Sequence, residues 1–181
     1  MQIQCPRDCA WLAIARDHPP AAVVRQQQRD VGRLVPFMRD LSERQSQLFF
    51  LISTFLVRYE APELQPVIDD DVTEAVAALA ATFETAARGV IYDHRPASLS
   101  AERLASALKP LLAEAGKGGG SAFERDAAVV LRRVEEAARD VRPNDPRNRR
   151  AFLDLLGRVI AKHPRRDADP PPNAPERNRL A

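Results

Sequence analysis

Residues 123–141 read FERDAAVVLRRVEEAARDV, and within them Phe123, Ala127, Val130, Val134, Ala137 and Val141 recur in steps of three and four. Each residue advances about 100° around an α-helix, so these side chains fall on one stripe. The same spacing links Val72, Val76, Leu79, Phe83, Ala87 and Val90. Two such stripes, each about five turns long, predict an all-α protein: a bundle of about five amphipathic helices.

Outward from these two segments the pattern continues. Residues 37–59 read as one long helix with a seam of Leu41, Leu48, Ile52, Phe55 and Tyr59, opened by Pro36 in its first turn. Phe49, Leu51, Leu56 and Val57 extend its apolar surface well beyond that seam. A helix apolar on most sides is either central to its bundle or shared with a partner chain, so Phe49, Leu51 and Leu56 are candidate interface residues. Asp71 and Glu74 have capping-box spacing ahead of the 72–92 helix, and Ala77, Ala78 and Ala81 would let a neighbour approach closely.

Ser100 is placed to cap a helix carrying Leu104, Leu108, Leu111 and Ala115, which Pro110 should kink or split. Gly116 ends it, a glycine loop follows, and Ser121 with Glu124 matches the capping box of the 121–141 helix. A last helix over 147–162 turns Phe152, Leu155, Leu156 and Val159 inward. Before Pro36, a short helix at 10–17 and another at 21–34, weakened by Gly32, leave residues 1–35 a poorly defined segment. The helical domain spans 36–163, and the Pro/Arg-rich tail 164–181 has too few apolar anchors to fold.

Composition agrees with this layout. Across 181 residues, 45% hydrophobic and 29% charged side chains belong to a globular chain rather than a disordered one. Aromatics are only 6%, so the apolar load falls on Ala, Leu and Val, which favours helix over strand. Cys5 and Cys9 have no second ligand pair beside them and read as reduced thiols. The run 48–57 is about half the length of a membrane span, and no secretory leader is visible, so a cytoplasmic chain without a membrane partner is expected. The net charge of +2 hides a bipolar distribution: residues 60–93 carry −7 and residues 139–166 carry +6.

Four clusters hold the chemistry-bearing side chains. Lys117 and Ser121 border the glycine loop, where the N–H groups opening a helix could hold an anion; the Walker spacing and its preceding strand are absent. Asp69 and Asp70 are carboxylates of the kind that bind hard cations, without EF-hand spacing. Asp93 beside His94 is the best candidate catalytic corner, because a carboxylate can orient an imidazole base, though no nucleophile is marked. Arg147, Arg149, Arg150, Arg158 and Lys162 could neutralise a nucleic-acid backbone, with no aromatic interleaving for single strands. Each cluster also has a structural reading: a flexible connector, helix-dipole acids, helix-end cations and a solvated face.

No cofactor is called for. The first reading is therefore a non-catalytic protein-interaction or oligomerisation module. Its alternatives are a nucleic-acid-binding protein using residues 139–166 and a small enzyme using the Asp93/His94 corner.

Overall fold

A computed structural model describes residues 21–61, 66–141 and 147–161, and every regular element among them is helical. The order is α1 (Ala21–Met38), α2 (Glu43–Arg58), α3 (Asp69–Ala86), α4 (Leu99–Ala115), α5 (Gly120–Asp140) and α6 (Ala151–Ala161). The expected short helix at 10–17, the thiols Cys5 and Cys9, and the tail 164–181 lie outside the described residues.

Helices α3 and α5 share the largest interface and form the centre of the bundle. All six stripe residues of α5 and its C-cap, from Phe123 to Val141, are buried. They meet Val72, Val76 and Leu79 of α3, with the Phe83 and Phe123 rings edge-on at 6.1 Å. Helix α4 covers α3 through Ala101, Leu104, Leu108 and Leu112, while α2 packs on α5 and α6. Each fully enclosed Leu or Phe here is worth roughly 1.5–3 kcal/mol relative to exposure.

The helix expected over 37–59 is two elements. Helix α1 runs through Pro36 to Met38, a turn covers Arg39 and Asp40, and Ser42 starts α2. Ser42 Oγ accepts the Gln45 N–H at 3.2 Å, and Gln45 Oε1 accepts the Ser42 N–H at 3.0 Å. This reciprocal box is the local reason for the break. Pro36 thus lies in the last turn of α1 rather than the first turn of α2. Its missing N–H removes the helix bond that the Gly32 carbonyl would otherwise accept from position 36, and both residues face solvent. Pro110 is tolerated in the same way: α4 is unbroken, and Pro110 and Ser106 are both exposed.

Three expected caps are corrected as well. Ser98, not Ser100, caps α4, its Oγ accepting the Ala101 N–H at 3.1 Å. Helix α5 opens at Gly120 behind Gly119, with no side-chain cap from Ser121. Asp71 accepts the Ile68 N–H at 3.1 Å, which leaves Glu74 for a different helix.

Gly89, at φ +80°, ends α3 in a Schellman turn: Val90 N–H reaches the Thr85 carbonyl at 3.0 Å and Gly89 N–H the Ala86 carbonyl at 2.8 Å. The helix therefore stops before Ala87 and Val90, which the sequence stripe had included, and short of Tyr92, where the helix was expected to end. The broad apolar surface of α2 is largely consumed internally, although Phe50 is 47% exposed. Phe49 is 1% exposed and Leu56 4%, with Leu51 partly buried against the same core. Phe49 and Leu56 are thus core residues rather than the interface residues expected, and Leu51 lies at the edge of the core.

Candidate functional site

The acidic start of α3 builds joints between helices. Asp69 accepts the backbone N–H groups of Phe152 at 2.8 Å and Leu153 at 3.2 Å, capping α6 from outside that helix. Burial pushes its carboxyl above the usual aspartate value, against the lowering effect of those two bonds. Glu74 accepts the Ser98 N–H at 2.9 Å and that of Ala97, closing the start of α4. These bonds hold its carboxyl below the usual range. Asp70 pairs with Arg149 at 3.1 Å on the surface. No group of three metal-ligating side chains occurs among the described residues.

The basic end of the chain meets this acidic end within the same molecule. Besides the Arg149 pair, Arg150 Nη1 donates to the Val67 carbonyl, and Asp69 N–H donates to the Arg149 carbonyl at 2.9 Å. Arg158 holds Asp30 of α1, which is 3% exposed, through bonds of 3.1 and 3.4 Å. Arg147 also has a partner, and Lys162 lies outside the described residues. The arginines read as a phosphate-binding row are thus largely engaged in tying α6 to α1 and α3.

At the Asp93/His94 corner the two side chains have separate duties. Asp93 takes Lys109 Nζ on both oxygens at 2.7 Å. The His94 backbone N–H donates to Thr82 Oγ1 at 2.9 Å, and its ring lies edge-on to Tyr92 at 4.6 Å. Its Nε2 is enclosed without a hydrogen-bond partner. Asp93, Lys109 and Glu124 line a hollow of about 400 Å³ with Gly116 and Gly120, so the fold does bring this corner to the glycine loop. The loop itself is explained by packing. A Cβ on Gly119 would stand 2.6 Å from Phe123 Cβ, and one on Gly116 2.7 Å from the Phe123 ring. Lys117 pairs with Glu114 at 2.6 Å, and Ser121 is exposed.

A different surface stands out once the Schellman turn is in place. Val90, Ile91 and Tyr92 follow it without regular structure, exposed by 54%, 102% and 59%. Arg88, two residues earlier, also lines a groove of about 560 Å³ between the end of α3 and α5. Its floor is Ala87, Ala128 and the half-exposed Val129; Arg125, Arg132 and Arg133 rise from α5. Arg132 is clamped by both oxygens of Glu84, at 2.7 and 2.9 Å, and by Glu135 at 2.8 Å. This pairing holds the Glu84 carboxyl below its usual range and raises the Arg132 guanidinium above its own. Arg133 pairs with Glu136. The signal for this surface was Gly89 directly after Arg88, a helix-stop pattern that releases the next residues from the core stripe.

No protein-family model, curated protein or solved structure matches this chain. Among the described residues, no helix is long and apolar enough to cross a membrane.

Proposed function

We propose that this chain is a non-catalytic helical module that binds a protein partner, with the 88–95 loop as the contact. The supporting observation is Ile91, fully exposed between half-exposed Val90 and Tyr92, in a bundle whose other large apolar side chains mostly face inward. Three consecutive large apolar residues held out by a fixed turn are costly in water and become favourable when a partner covers them. The engagement of Asp93 by Lys109 and the enclosure of His94 Nε2 favour this reading over an enzyme at the same corner. The partnering of Arg149, Arg150 and Arg158 favours it over a nucleic-acid surface there.

The test is affinity capture with wild type and Ile91→Asp as paired baits, after circular dichroism shows equal helix content and melting. Proteins retained by the wild type and lost from the variant support the docking role. Identical retention by both baits, or none by either, refutes it.

A further inference from the structure

The groove beside the exposed loop selects the chemistry of what docks there, an inference that rests on the docking role of Ile91. Four arginines converge on it, but they are not equivalent. Arg132 and Arg133 already spend their charge on Glu84, Glu135 and Glu136. Arg88 and Arg125 are exposed: Arg125 has no carboxylate partner among the described residues, and Arg88 is attracted by Glu84 without an ion-pair contact, both Glu84 oxygens being bound by Arg132. Between the paired and unpaired guanidinium groups the floor is apolar, with Val129 43% exposed. The arrangement is thus an apolar strip with two exposed guanidinium groups along it that no carboxylate contacts directly, beginning two residues before Val90.

We propose that the groove takes an acidic peptide segment of a partner protein. Its apolar side chains lie on Val129 and beside Ile91, and its carboxylates pair with Arg88 and Arg125. Guanidinium and carboxylate groups match in geometry and charge, and a docked chain would exclude water from both pairs. A nucleic acid fits less well. Its phosphates would run past the carboxylates of Glu84 and Glu136, and no aromatic side chain lines the groove itself, Tyr92 standing outside it on the loop. A second copy of this chain is disfavoured on the same grounds, since equivalent grooves would bring like charges together.

The experiment uses the full chain and fluorescence anisotropy with three labelled probes: a short peptide of glutamate, leucine and alanine, the same peptide with lysine for glutamate, and single-stranded DNA. The wild type should bind the acidic peptide at least about tenfold tighter than the lysine peptide. The double variant Arg88→Glu/Arg125→Glu should lose about tenfold in affinity for it. Arg25→Glu/Arg29→Glu, which makes the same charge change on exposed α1 positions, should change it less than about twofold. Equal losses in the two double variants would reduce the effect to net charge and overturn the proposal, as would tighter binding of DNA than of the acidic peptide. Absence of peptide binding, while Ile91→Asp still abolishes partner capture, would overturn the acidic chemistry and leave the docking role standing.

Discussion

The Asp69 carboxylate accepts the Phe152 backbone N–H at 2.8 Å across 83 residues of sequence, so the first residue of α3 caps the start of α6. A second oxygen serves Leu153 at 3.2 Å. One side chain therefore satisfies two of the N–H groups that a helix start leaves without partners.

Removing that cap has a defined cost. Asp69→Ala should destabilise the fold by about 1–2 kcal/mol, and Asp69→Asn, which keeps one acceptor oxygen, by less. Burial raises the folded-state carboxyl above 3.8, so the unfolded chain releases this proton first as pH rises. The stability of the wild type relative to Asp69→Asn should then fall as pH rises from 3.8 through the raised folded value. Urea melts of both proteins across that window check the sign.

Glu84 has the opposite slope. Its carboxyl is lowered, chiefly by its hydrogen bonds from Arg132, so its contribution is complete above 4.5 and is lost as pH falls through the lower folded value. The wild type should lose stability relative to Glu84→Gln over that acidic range. Both partners are more than a third exposed, so added salt should shrink the difference. Acid melts at two salt concentrations read both effects.

The Asp30–Arg158 pair is asymmetric. Asp30 is 4% exposed at its side chain and Arg158 44%, so an orphaned arginine can turn to water while an orphaned aspartate cannot. Arg158→Met should cost about 2–3 kcal/mol and Asp30→Asn clearly less, because Gln26 still donates to the remaining oxygen. Denaturant midpoints of the two variants decide the order.

The glycine loop is tested in the same way. Gly119→Ala puts a methyl group against Phe123 Cβ, which cannot rotate away, and should cost about 1–3 kcal/mol. Gly118→Ala meets open space but must hold φ +76°, costing about 1–2 kcal/mol. Thermal melts that left both variants at the wild-type midpoint would return the loop to the role of a flexible connector.

Helical class and the α3 and α5 stripes were legible in sequence because 3.6-residue periodicity is a local property. The roles of Asp69 and Glu74 were not, because each carboxylate serves a helix that starts far along the chain. Spacing alone made them a candidate metal cluster and a local capping box. The girth of α2 admitted two readings, a central helix or an interface; packing on α5 and α6 buries Phe49, Ile52 and Leu56, while Phe50 stays exposed. At the proposed docking surface the decisive local feature was Gly89. A stripe extended past it assigned Val90 to the core, whereas a left-handed residue there turns the chain outward.

The most direct test of the docking role is photo-crosslinking in cells, with a benzophenone amino acid in place of Ile91 and, as control, in place of exposed Pro110 on α4. The docking role predicts a discrete heavier adduct from position 91 that position 110 does not give. The same adducts from both positions, or none from position 91, would contradict it.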